Sequence, residues 1–145
     1  VKRPLHLHPQ YLALVAGGGV LGALARYGLG EAIPSPGQWP LSTLLINLSG
    51  AFVLGWLLES LARKGPDEGR RRLIRLTAGT GFLGAFTTYS TFSVETVQLF
   101  DAGRAADAFG YLAASLLGGV LATFAGIALG QRLHKGRTGF AGGAR

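Results

Sequence analysis

The sequence predicts an all-α integral membrane protein with four transmembrane helices per subunit, the third broken at the membrane centre. Three observations lead there. Apolar runs at about 11–33, 41–62, 76–100 and 108–133 are each long enough to cross ~30 Å of hydrocarbon at ~1.5 Å per residue. Nearly all Lys and Arg lie outside those runs, as in membrane flanks. The third run is interrupted by Gly79-Thr80-Gly81-Phe82-Leu83-Gly84-Ala85-Phe86-Thr87-Thr88-Tyr89-Ser90-Thr91-Phe92. Its glycines weaken a helix interior, and its hydroxyls offer the backbone competing bonds. Opened backbone is tolerated at membrane depth only where protein buries it or where it lines a wet cavity.

Composition agrees. The 145 residues make one domain, 48% hydrophobic and 14% charged, with mean hydropathy +0.34. The 24 glycines suit close helix approach in a bilayer. Cysteine is absent, which excludes disulfides and thiolate metal sites. His6, His8 and His134 lie at the two ends, so no histidine metal centre is expected. A net charge of +7 points to nucleic acid in a soluble protein, but here the positions of the charges make them membrane flanks. The first residues lack the apolar core of a cleavable signal, so none is expected.

The segments justify themselves in order. Val1 to Gln10 is a polar, basic lead-in. The first span carries a small-residue face, Gly17-Gly18-Gly19, Gly22-Ala23 and Gly28. It also carries Arg26, which either snorkels to the interface or anchors an anion in a vestibule. Pro34 to Pro40 is a short uncharged turn. In the second span Thr43 and Asn47 stand at i and i+4 on one face. A buried amide needs partners, so Asn47 either glues helices together or belongs to a track of donors. Arg63 to Arg75 is a charged loop broken by Gly65-Pro66. Asp101 to Asp107 is a polar turn. The fourth span aligns Tyr111 and Ser115 on one face, with Gly118-Gly119 a turn beyond, and a Gly-rich basic tail from His134 to Arg145 is expected to be disordered.

Four spans put both termini and the second loop on one side. That side holds Lys2, Arg3, Arg63, Lys64, Arg70, Arg71, Arg72, Arg75, Arg132, Lys135, Arg137 and Arg145, whereas the other holds only Arg104. Short loops obey the positive-inside rule, so both termini are expected in the cytoplasm of a cell (inner) membrane protein.

The polar residues within the spans are hydrogen donors. No Asp lies in a span, and Glu31, Glu59 and Glu95 fall toward span ends, leaving nothing acidic to draw a cation. Asn47, Thr43, Thr87, Thr88, Ser90, Thr91 and Ser115 join the hydroxyls of Tyr89 and Tyr111. Tyr89 and Phe92, at i and i+3, either pack in the core or present positive ring edges. Neutral donors replace the water of a small hard anion without the deep well of a Lys or Arg, and conduction needs entry without trapping.

Three stretches carry a resemblance. Gly18-Gly19-Val20-Leu21-Gly22-Ala23-Leu24-Ala25-Arg26-Tyr27, Trp39-Pro40-Leu41-Ser42-Thr43-Leu44-Leu45-Ile46-Asn47-Leu48-Ser49-Gly50 and Gly81-Phe82-Leu83-Gly84-Ala85-Phe86-Thr87-Thr88-Tyr89-Ser90-Thr91-Phe92, in this order, resemble the signatures of the Fluc (CrcB) fluoride channel family. The resemblance implies an antiparallel dimer of four-span subunits with two narrow pores along the interface. It implies passive, fluoride-selective export of cytoplasmic fluoride, with no enzyme chemistry, and hence fluoride resistance. It also implies a central structural Na+ on carbonyls at the break, here those of Gly84 and Thr87. By the same resemblance Asn47 is the pore amide, and Tyr89 and Phe92 form an aromatic box. Ser90, Thr91, Tyr111 and Ser115 supply a polar track, with Arg26 and Glu95 at the vestibule. Tyr89 where the family usually has Phe, and Gly119 where a small hydroxyl is expected, are departures that bear on whether both pores conduct.

The family is known for dual topology, which calls for little charge bias. This chain is strongly biased, so its second subunit is expected to be an oppositely oriented relative, with a second copy of itself as the alternative if assembly overrides the bias. The competing reading is a small multidrug-type four-span transporter, which needs a Glu in the middle of the first helix. Here that helix offers Arg26, and Glu31 only at its end. A packing subunit of a larger complex is a third reading. No nucleophile–base pair argues for an enzyme.

Overall fold

A computed structural model describes residues 8–140. Lys2, Arg3, His6 and Arg145 fall outside that range. All regular structure among the described residues is helical. The helix α1 spans Pro9–Ala32, opening on a proline at its first turn, where the missing N–H costs nothing. It ends at Ile33, extended as a residue before proline prefers. A 3-10 turn, Pro36–Gln38, leads to α2, Leu41–Ala62. The chain then forms α3, Gly69–Ile74, a π-helical segment, Arg75–Leu83, and the short α4, Gly84–Phe86. After three non-helical residues come α5, Ser90–Asp101, and α6, Ala105–Phe140. Left-handed Gly103 (φ +71°) ends α5 and reverses the chain into α6.

Among the described residues, three helices are long and apolar enough to cross a membrane: α1, α2, and α6 over Ala105–Lys135. Their most apolar windows are only 11%, 33% and 6% buried within the chain. Surfaces this apolar require lipid or another subunit as their neighbour. The chain is a multi-pass membrane protein.

Two close seams organise the bundle. A β-carbon on Gly22 would lie 2.1 Å from the Phe82 carbonyl oxygen, and one on Gly18 2.2 Å from that of Thr77. Only glycine lets α1 lie backbone to backbone on the π-helical segment. On the other side, a β-carbon on Gly126 of α6 would lie 2.1 Å from the Phe52 carbonyl oxygen of α2. Between the seams, α2 separates two small cores. One gathers Leu44, Leu99, Ala108 and Tyr111, the other Ile46, Leu57, Leu83 and Phe86.

Two sequence expectations need correction. The charged 63–75 loop contains α3, because its arginines satisfy the turn before it: Arg71 donates to the carbonyls of Lys64 and Pro66, and Arg75 grips Asp67 with two bonds of 3.0 and 2.7 Å. Residues 134–140, expected to be unstructured, continue α6.

Candidate ion path between α2, α5 and α6

The site begins where helical geometry fails. Thr87 is extended (φ −81°, ψ 155°), and α5 starts only at Ser90. In an unbroken helix the Thr88 N–H would bond the Gly84 carbonyl. Instead it donates to Asn47 Oδ1 at 2.8 Å, while Asn47 Nδ2 donates to the Thr88 carbonyl at 2.9 Å. One side-chain amide from α2 therefore satisfies both backbone groups of a buried residue that the interruption would orphan. The Thr88 hydroxyl then caps α5, accepting from the Thr91 N–H at 3.2 Å and bonding the hydroxyls of Ser90 (3.2 Å) and Thr91 (3.1 Å). The Thr87 hydroxyl donates back to the Leu83 carbonyl.

A cavity of about 390 Å³ lies against this interruption, with Asn47, Thr88, Tyr89, Phe92, Ser115 and Gly119 in its wall. No charged residue lines it. Asn47 Nδ2 carries two hydrogens and spends only one on Thr88. Ser115 Oγ is buried and has no hydrogen-bond partner among the described residues. An orphaned buried hydroxyl is uncommon in a folded protein and calls for an explanation. Tyr89 and Phe92 do stand together, ring centroids 5.9 Å apart, but Tyr89 is 79% exposed and closes the cavity from outside rather than from a core.

Farther along α5, toward the end of the 76–100 run, Glu95 is held by its neighbours, its carboxylate accepting from Thr43 Oγ1 and Tyr111 OH, each at 2.8 Å. Fully buried Tyr111 also packs its ring on Phe92 at 5.2 Å and on Trp39 at 5.6 Å.

The structure thus brings Asn47, Tyr89, Phe92 and Ser115 to one cavity and Thr43, Tyr111 and Glu95 to one cluster beside it. Ser90 and Thr91 bond to Thr88 without lining the cavity. Arg26 does not line it either, because α1 packs on the π-helical segment and α4. Two participants escaped the sequence reading. Thr88 is the hub of the interruption, visible in sequence only as one hydroxyl among several. Thr123 lines the cavity two turns past Ser115, its hydroxyl donating to the Gly119 carbonyl; the spacing 115, 119, 123 was the available signal.

For a metal, no group of three His, Cys, Asp or Glu side chains occurs among the described residues. The backbone fits a hard cation better. The Thr88 N–H that would have used the Gly84 carbonyl is bonded elsewhere, Gly84 is exposed, and Thr87 is extended. Carbonyl oxygens of this kind suit Na+.

Membrane-length helices beside a hollow with uncharged hydrogen donors in its wall define a multi-pass membrane protein. The chain belongs to the CrcB family: the family described as CrcB-like protein, Camphor Resistance (CrcB), matches residues 13–127. It is 54% identical over 130 residues to "Fluoride-specific ion channel FluC 2" of Leifsonia xyli subsp. xyli, covering 90% of each chain. It is 44% identical over 127 residues to "Fluoride-specific ion channel FluC 2" of Geobacillus kaustophilus, covering 86% of this chain and 95% of that one. Identity to "Fluoride-specific ion channel FluC 1" of Cutibacterium acnes is 46% over 125 residues, 86% of this chain and 87% of the relative.

Proposed function

We propose that the chain is a passive fluoride channel that lets cytoplasmic fluoride leave the cell. The observation that carries this reading is the buried, unpartnered hydroxyl of Ser115, sharing a cavity with the spare hydrogen of Asn47 and with no charged group in the lining. Two neutral donors and the ring edges of Phe92 and Tyr89 replace water around a small hard anion. The hydrogens and ring edges turn partial positive charge toward a guest and so favour an anion over a cation, and a guanidinium there would hold fluoride too long. From the cavity the path passes the hydroxyls of Tyr111 and Thr43 toward Glu95, with Ser90 and Thr91 holding Thr88 in place. HF crosses bilayers as a neutral acid and ionises inside, and the membrane potential then drives the anion out through a pore that needs no catalytic step.

In this reading the π-helical segment, α4 and α5 together make the third membrane pass, interrupted at the bilayer centre. The interruption abuts its counterpart in an antiparallel second subunit, giving two pores at the interface, and Tyr89 and Arg26 gain their surroundings there, Arg26 at the vestibule. The Gly84 and Thr87 carbonyls would hold Na+, which supplies positive charge against carbonyl dipoles otherwise costly in hydrocarbon. The bias of basic residues places both termini in the cytoplasm and favours an oppositely oriented relative over a second copy as partner.

Liposomes carrying the protein with its partner test this directly. Fluoride efflux should far exceed chloride efflux and should fall when Na+ is withheld during preparation. Absence of fluoride efflux from the chain alone and from every pairing overturns the reading.

A further inference from the structure

A second hollow, of about 330 Å³, opens farther along α5, next to the Glu95 cluster. Glu95 lies at its inner end, and Ser35, Gln38, Gln98 and Arg104 stand in its wall. Apart from Glu95 these polar groups all carry hydrogens to donate. Three features set the hollow apart from an accidental gap between loops. Arg104 is the only Lys or Arg that the span arrangement leaves on its side of the membrane. Its guanidinium is aimed by the fold: Nε donates to Asp107 at 2.8 Å and Nη1 to the Gly37 carbonyl at 2.6 Å, and neither bond uses Nη2. The turn so gripped holds Gln38 in the left-handed region (φ +59°), a conformation that residues other than glycine adopt infrequently and at a cost.

Electrostatics gives the arrangement a purpose. A carboxylate at the inner end of an entrance repels the anion that must pass it, and low-dielectric walls strengthen that repulsion. A fixed cation and neutral amides in the same hollow offset it. Asp107, half exposed, shares Arg104 from the solvent side, where water and salt weaken its field.

Resting on the fluoride-channel reading, we propose that this hollow is an anion site at the outer mouth of the path, in which Arg104, with the side-chain amides of Gln38 and Gln98, holds a partly hydrated fluoride ion between Thr43 and Tyr111 and the outer solution. Arg104 here contacts the permeating ion and is more than a tie for the turn.

Because the pore is passive, the experiment runs it from the outer mouth inward, measuring fluoride uptake into liposomes against external fluoride concentration for the wild type, Arg104→Gln, Arg104→Lys and Gln98→Glu. Arg104→Gln retains a donor for the Gly37 carbonyl but loses the charge; Arg104→Lys retains the charge and loses the forked grip. The expected result is that Arg104→Gln raises the half-saturating fluoride concentration about tenfold, at the low end of electrostatic focusing, with the maximal rate kept. Arg104→Lys should stay close to wild type, and the gap between wild type and Arg104→Gln should narrow as ionic strength rises. The proposal is overturned if Arg104→Gln leaves half-saturation unchanged, or if Arg104→Lys is as impaired as Arg104→Gln, which would make Arg104 only a tie. Should Arg104→Gln fail to fold, Gln98→Glu decides: a second carboxylate on the wall must raise half-saturation, and an unchanged value overturns the proposal. A wild type that passes no fluoride defeats the channel reading itself and is recognised before any variant is compared.

Discussion

Two residues of the candidate path, Asn47 and Ser115, meet the same cavity with opposite relations to the fold. Asn47 is bonded twice to the Thr88 backbone, so Asn47→Ala strands a buried N–H and C=O. Each such orphan costs about 1–3 kcal/mol, so this variant should lose both fluoride efflux and several degrees of thermal stability in detergent. Ser115 has no bond to lose. Ser115→Ala should therefore keep or slightly raise stability while efflux drops roughly tenfold, the kinetic effect of one missing hydrogen bond to the ion. Equal loss of stability in the two variants would show that the hydroxyl serves packing. The donor types at these positions were readable in sequence; the pairing of Asn47 with Thr88 was not, because it joins residues far apart along the chain.

Among the elements, the π-helical segment is the one that sequence patterns do not announce. Its glycines and hydroxyls predicted an interruption near residues 79–92, and non-helical geometry does occur at 87–89. The wider winding of 75–83 occurs where α1 packs on it backbone to backbone at Gly18 and Gly22. Gly22→Ala would force a β-carbon against the Phe82 carbonyl and should destabilise the protein by about 1–3 kcal/mol. Gly17→Ala, with nothing within 4 Å of its β-carbon, should be neutral in the same thermal assay. At the head of this segment, the Arg75 guanidinium bonded to Asp67 holds that carboxyl below its ordinary 3.8. A lowered folded-state value means the contribution of the pair is complete above the unfolded value and is lost as pH falls through the folded one. Thermal stability should thus acquire a small acid-side decline below about pH 4, removed by Asp67→Asn and weakened by salt.

At the scale of the whole molecule, the exposed apolar faces of α1 and α6 and the outward-facing Tyr89 ask for a neighbour, lipid or a second subunit, and the proposed pairing depends on which way the chain inserts. The chain has no cysteine, so single cysteines report its orientation cleanly. With an impermeant maleimide added outside cells, Ser35→Cys should label and Lys64→Cys should not. Labelling of both positions to similar extents would mean that the chain inserts both ways and can pair with itself. Expression of the chain alone completes the test: vigorous fluoride efflux from homodimers would overturn pairing with a relative.

By itself the sequence determined the helical class, the apolar runs, the location of the interruption and the presence of neutral hydrogen donors within the runs. Each follows from local composition and periodicity, which act over a few residues. Tertiary structure alone decided that Asn47 splints the interruption, that Glu95 gathers Thr43 and Tyr111, and that Arg104 faces a hollow of its own. Those are contacts between helices, fixed by which glycines let backbones touch and by where α5 resumes its winding.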